Sequence, residues 1–210
     1  MQTDRRRFLS ASAALTLGAV LSGVALPSAA AAPYERLPRR LPREEAGKIS
    51  VLEFFSYACA HCNDFHPIVI RWAARQPAHV AFRRVPVAWN ASWSNLARLY
   101  YALEINGDLA RLDGKVFQAL HAQRQKIYTD KTILDWYAQQ GGNREKFGEI
   151  MKSFTVMSKV NQGEKLRQSA QVNSVPAIVV DGAYLMTGAT YEELLDNTDQ
   201  LVEQIRKDGK

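Results

Sequence analysis

Ile49-Ser-Val-Leu-Glu-Phe-Phe-Ser-Tyr-Ala-Cys-Ala-His-Cys62 holds the only two cysteines of a 210-residue chain. Its first part, Ile49 to Ser56, is rich in β-branched and aromatic residues and predicts a buried strand. Beyond the pair, from Asn63 to Arg75, apolar Phe65, Ile68, Val69 and Trp72 stand at the spacing that lines the inner side of a helix. Cys59 and Cys62 therefore fall where a strand ends and a helix begins. Unpaired backbone N–H groups and the helix dipole favour negative charge at such a place, so a thiolate is stabilised there. The pattern reads as a redox centre.

Three other uses of the pair compete with that reading. A closed structural zinc site needs four protein ligands, and only His61, His66, His79 and His121 are available to complete one. None of them recurs at zinc-finger spacing, so no metal is expected. A structural staple across so short a loop would remove little entropy from the unfolded chain. An idle pair of buried thiols is the third use, and in an exported protein such a pair would be prone to oxidation anyway.

A second motif lies more than a hundred residues further on, Val172-Asn-Ser-Val-Pro-Ala-Ile-Val-Val-Asp-Gly-Ala-Tyr-Leu-Met186. Asp181-Gly182 is a hairpin-turn dipeptide between two apolar runs, which predicts antiparallel strands over Ala177–Val180 and Tyr184–Met186. Pro176 opens the first strand, a position that tolerates its missing N–H. Val175, before a proline, is held extended with its backbone N–H and C=O outward. Taken alone, this is an ordinary strand-initiating proline.

Together, Val51-Leu-Glu-Phe-Phe-Ser-Tyr-Ala-Cys-Ala-His-Cys62 and Ser174-Val-Pro-Ala177 resemble the DsbA-like thiol:disulfide oxidoreductases of the thioredoxin superfamily, over roughly Tyr34 to Lys207. The resemblance implies an α/β, thioredoxin-like fold with an inserted helical domain. It implies that Cys59 is the exposed nucleophile, that Cys62 is the resolving thiol, and that the Cys59–Cys62 disulfide is the redox group, with no further cofactor. By the same resemblance Pro176 is cis and faces the cysteines, and Val175 pairs through its backbone with an extended substrate. His61 would help to stabilise the thiolate, and Glu53 would enter the proton balance. The family commonly has Pro where this chain has Ala60, in the dipeptide that tunes the redox potential.

Residues 1–31 read as an export signal. Arg5-Arg6-Arg7 supplies the basic start, Ala11–Leu26 the apolar run and Ala29–Ala32 the small residues for cleavage. Arg5-Arg6-Arg7-Phe8-Leu9 also fits a twin-arginine signal, and the general secretory route stays open beside it. Either route leads out of a bacterial cytoplasm, to a periplasm where disulfides persist. The segment carries three Arg and one Asp, so its removal takes the formal charge from +6 to +4. The remaining excess is scattered over Arg39-Arg40, Arg43 and Arg83-Arg84, which read as solvated faces and exclude a nucleic-acid footprint.

The rest of the chain predicts one body with an interruption. Tyr34–Gly47 is an irregular lead-in with a short edge strand near Tyr34–Leu37, and Val80–Val87 is a strand completing a parallel crossover. Four amphipathic helices follow: Leu96, Leu99, Tyr100, Leu103 and Ile105; Leu112, Val116, Phe117 and Leu120; Ile133, Leu134 and Tyr137, capped by Asp130; and Phe147, Ile150 and Met151. A long helix over Val156–Val172 leads back to the hairpin, and a terminal helix over Tyr191–Lys207 closes the chain. The division expected is a thioredoxin-like domain of residues 33–92 and 154–208, split by a helical domain of residues 93–153. Trp89, Trp93, Tyr100 and Tyr101 are candidates for a peptide groove beside Cys59, against the ordinary expectation that large aromatics pack inside.

The expected activity is donation of the Cys59–Cys62 disulfide to newly exported proteins, by a monomer whose substrates are unfolded chains with free cysteines. A DsbB-like membrane partner that reoxidises the pair is implied by the resemblance alone. The rival functions are a disulfide isomerase or reductase on the same fold, and a peptide-binding, chaperone-like protein with a vestigial pair. An isomerase of the DsbC kind needs an N-terminal dimerisation domain, and few residues lie between the signal and Ile49.

Overall fold

All seven residues of the strand Ile49–Phe55 (β2) are buried, which happens when a strand is covered on both faces. It lies in a five-stranded sheet built with Tyr34–Arg36 (β1), Val80–Pro86 (β3), Ala177–Val180 (β4) and Tyr184–Met186 (β5), in the order β1-β5-β4-β2-β3. β2 and β3 run parallel, as the helix Ala60–Ala73 (α1) between them requires, and the other pairings are antiparallel. The computed structural model describes residues 32–43 and 45–209; the export signal expected over 1–31 lies outside them.

Between β3 and β4 the described chain is helical: Ala91–Ile105 (α2), Leu109–Phe117 (α3) running into a π-turn at Gln118–Ala122, Asp130–Gln139 (α4), Arg144–Lys152 (α5) and Phe154–Ser169 (α6). Tyr191–Asp208 (α7) ends the fold. α2 stops at Asn106, and Gly107 at φ 78° supplies the left-handed residue that a helix end favours. The start of α4 corrects the sequence reading. Thr129, not Asp130, is the cap, in a capping box with Thr132, and Asp130 instead sits in the first turn where its charge meets the dipole.

Two apolar clusters flank the sheet. Leu52 and Phe54 pack with Val85, Val179 and the helices between β3 and β4, while Ile49 and Val51 pack with Phe65, Val69 and Trp72 of α1 and Leu194, Leu201 and Val202 of α7. Val51 and Leu52 thus feed opposite cores, as period-2 side chains do in a strand with no solvent face, while Phe55 at the strand end joins Phe54 in the same core.

The lead-in is tied to the far end of the sheet, where Arg40 and Arg43, about half exposed as solvated faces would be, also pair with a buried acid. Asp181 of the β4–β5 turn is 2% exposed, and its carboxylate accepts from both Arg40 and Arg43, the latter at 2.8 and 2.9 Å. The Leu37 and Leu41 N–H groups add bonds to the Ala183 and Gly182 carbonyls at 2.8 and 2.7 Å. A carboxylate buried this far needs cationic partners, and the irregular segment delivers them while their stems stay partly in water.

Candidate active site

Ser56, Tyr57 and Ala58 carry the chain from β2 into α1, whose N-cap is Cys59 with extended backbone (φ −86°, ψ 121°). That conformation turns the side chain over the first helical turn, where Sγ accepts the Cys62 N–H at 3.3 Å. Sulfur fills the place usually taken by a Ser or Asp oxygen. Cys59 is half-buried, Cys62 is fully buried, and both thiols are free.

The two sulfurs differ sharply in acidity. The Cys62 side chain hydrogen-bonds Cys59 and is the leading cause that brings Cys59 down to about 6; partial burial opposes it, and the Cys62 and His61 backbone N–H groups and the charge of His61 assist. Burial, then the bond to Cys59, push the Cys62 thiol far above the ordinary range. At neutral pH the pair is therefore one anion and one retained proton.

The hairpin motif supplies the opposing wall. The Val175–Pro176 peptide is cis, and the Val175 carbonyl oxygen lies 3.4 Å from Cys59 Sγ, where it accepts from Cys59 only when that thiol is protonated. A groove of about 740 Å³ runs alongside, with His61, Val175, Pro176, Met186, Tyr191 and Leu194 on its walls. His61 is exposed, and Tyr191 at the start of α7 donates its hydroxyl to the His61 carbonyl at 3.1 Å and lies 3.5 Å from Nδ1.

Behind the cysteines, Glu53 is fully buried and faces Arg84, its register partner on β3, whose Nε donates to Oε2 at 2.6 Å. Burial raises the Glu53 carboxyl and Arg84 pulls it back, leaving it above its usual range, and its charge reaches the Cys62 thiol. Arg84 is 5% exposed and lies over the Phe55 ring at 3.8 Å, so the expectation that Arg83-Arg84 is a solvated pair is wrong for Arg84. A buried carboxylate on a central strand recruits its cation from the adjacent one.

One family fits all of this. A DSBA-like thioredoxin domain matches residues 50–200. The chain belongs to that family. The thiol:disulfide interchange protein DsbA of Bordetella pertussis is 36% identical over 200 residues, covering 93% of this chain and 95% of that one. The crystal structure of Pseudomonas aeruginosa DsbA superposes with a TM-score of 0.81 at 32% identity, covering 84% of this chain and 94% of the other. The Xylella fastidiosa DsbA structure does so with a TM-score of 0.79 at 30% identity, over 83% and 96%. The α/β fold with a helical insertion, expected from the two motifs, is borne out, and the chain is a DsbA-like thiol:disulfide oxidoreductase.

Within this DsbA-like frame, the fold brings Cys59, His61, Val175 and Pro176 to one site, with Cys62 and Glu53 fully buried. Of the four aromatics proposed for a groove, Tyr100 and Tyr101 are core, while Trp89, 39% exposed, stacks on half-buried Trp93 at 5.0 Å. Sequence reasoning missed Arg84, Asp113, Tyr191 and the hold on Tyr57, whose carbonyl meets His121 Nε2 at 2.8 Å. Asp113 carried a legible signal, since it shares helical spacing with Val116, Phe117 and Leu120 and so belongs to the inner face. Among the described residues no group of three or more His, Cys, Asp or Glu could hold a metal ion, and no helix is long and apolar enough to cross a membrane.

Proposed function

We propose that this protein works in the periplasm as a disulfide donor to newly exported chains, with Cys59 as the attacked sulfur and Cys62 as the resolving one. The observation that carries the reading is the Cys59 sulfur itself: capped at a helix start, half-exposed, and lowered to about 6 beside a partner that keeps its proton. A substrate thiolate attacks Cys59 Sγ of the disulfide; the Cys59–Cys62 bond breaks and Cys62 leaves, taking up a proton. A second substrate thiolate then attacks the substrate sulfur of the mixed disulfide and expels Cys59, which leaves readily because its thiolate is stable.

The neighbouring groups suit that sequence. In the mixed disulfide Cys59 has no proton to give the Val175 carbonyl, so that carbonyl is free for an extended substrate backbone while Pro176 keeps the strand edge close. His61 supports the thiolate by charge and by its N–H, and Glu53 serves as a buried store for the Cys62 proton. Residues 33–92 and 154–208 act as the catalytic domain and residues 93–153 as its helical cover. The partners are unfolded proteins with free cysteines and a DsbB-like membrane protein that returns the pair to the disulfide; the enzyme acts as a monomer with no cofactor beyond that disulfide.

The test is trapping. Cys62→Ala, expressed with residues 1–31 intact, should accumulate exported proteins as mixed disulfides that reductant releases, and Cys59→Ser should trap none and lose oxidase activity. If Cys59→Ser still oxidises reduced substrates at the unmodified rate, the pair is vestigial and the reading fails.

A further inference from the structure

The inserted helices reach the buried acid through one residue that the thiol chemistry above does not use. Asp113 lies on α3, is 9% exposed, and sits amid five groups from five parts of the chain. Arg84 Nη1 of β3 donates to its Oδ2 at 2.6 Å, the Tyr57 hydroxyl donates to Oδ1 at 2.6 Å, and His66 Nε2 of α1 is 3.5 Å from Oδ2. Glu53 of β2 shares Arg84 with it, and the Tyr100 ring of α2 lies 5.9 Å from the guanidinium carbon.

The decisive feature is how the guanidinium is divided. An arginine opposite one carboxylate can bind both oxygens through its fork. Here Arg84 gives one nitrogen to each of two carboxylates, Nε to Glu53 and Nη1 to Asp113, and its Nη2, like Glu53 Oε1, is buried without a hydrogen-bond partner. Glu53 Oε1 is buried with no hydrogen-bond partner, although its sister oxygen has a 2.6 Å bond. A carboxylate left half-satisfied in an apolar site holds a proton more readily than one gripped at both oxygens.

The geometry points to Asp113 as a positioning residue that draws Arg84 partly away from Glu53 and so keeps Glu53 able to take and return a proton beside Cys62. The inference rests on the role proposed above for Glu53. It makes the helical block part of the proton handling as well as a cover. The charge of Asp113 works in the same direction, since a second buried carboxylate disfavours ionisation of the first. The other groups facing the pair act as follows: Arg84 opposes the proton on Glu53, Tyr57 and His66 steady Asp113, and Cys62 is the group served.

The test is a titration of the Glu53 side-chain carboxyl by 13C NMR on the reduced, full mature chain, with Glu53→Gln identifying the signal. Asp113→Asn keeps the size and an acceptor for Tyr57 while removing the charge. The carboxyl midpoint should fall by about one unit, a tenfold loss of proton affinity, and Asp113→Glu should restore it. The pH profile for closing the Cys59–Cys62 bond in single-turnover exchange should move with it. A folded Asp113→Asn protein with an unmoved or raised Glu53 midpoint overturns the inference. If that variant does not fold, Tyr57→Phe gives the converse arm: losing one donor strengthens the pull of Asp113 on Arg84, so the Glu53 midpoint must rise, and a fall or no change refutes the coupling. Should the midpoint respond while Glu53→Gln exchanges thiols normally, the coupling stands and the role of Glu53 in exchange is what fails.

Discussion

Replacing Cys62 by Ala should make Cys59 less acidic, because the Cys62 side chain is the leading cause that brings that thiol to about 6. A hydrogen bond to a charged group contributes about 1.5–3 kcal/mol, and one pKa unit corresponds to about 1.4 kcal/mol. Cys59 is half-buried, so the low end applies and the midpoint should move from about 6 to roughly 7. At pH 6.5 the thiolate fraction, and with it the alkylation rate, should fall roughly threefold. The assay is iodoacetamide alkylation of the reduced protein from pH 4 to 9, where the Cys62 thiol stays protonated and silent in the unmodified chain. Cys62→Ser keeps an O–H donor in the same buried place and should hold the midpoint near that of the unmodified chain. If Ala and Ser variants titrate together, the donor is not what holds the thiolate. The low midpoint also bears on the potential and on stability. Against an ordinary thiol near 8.5, it favours the dithiol at pH 7 by at most about 1.4 kcal/mol, and solvent screening brings this to about 1 kcal/mol, or roughly 20 mV more oxidising. Because the folded value lies below the unfolded one, this stabilisation is complete above about pH 8.5 and is lost as pH falls through about 6.

Three further changes probe the frame. Arg84→Met would leave Glu53 and Asp113 buried without their cation, which should cost about 3–5 kcal/mol and lower the melting temperature by about 10 °C; a melt within a degree or two of the unmodified protein would show that the carboxyls simply protonate. Asp181→Ala should release Arg40 and Arg43 and speed hydrogen exchange at the Leu37 and Leu41 amides at least tenfold, with Cys59 alkylation unaffected; unchanged exchange would mean that the backbone bonds suffice. Gly182→Ala puts a Cβ 2.7 Å from the Leu41 carbonyl oxygen at φ +62°, so chemical denaturation should show a loss of about 1–3 kcal/mol, and equal stability would refute the tight approach.

Much of the molecule was legible because its signals are local. A run of β-branched and aromatic residues followed by apolar residues at helical spacing specifies β2 and α1 from neighbours a few positions apart. The Asp181-Gly182 dipeptide specifies the hairpin, and its strands fall at Ala177–Val180 and Tyr184–Met186 as read. Boundaries drifted where a cap decides them: α1 begins at Ala60, three residues earlier than its apolar pattern, because Cys59 itself caps it.

The amino-acid order alone determined that two cysteines would sit at a strand-to-helix junction, and that a proline-led hairpin would follow a block of helices. It also determined the kind of chemistry, since spacing and residue type are properties of the chain. Which charges are shared was decided only by the folded form. Arg84 reads as one half of a polar doublet until parallel pairing sets it against Glu53, and helical spacing puts Asp113 on an inner face without saying that Arg84 is what it meets there. Electrostatic partnership depends on distance and burial, and both are created by strands and helices meeting from places far apart in the chain.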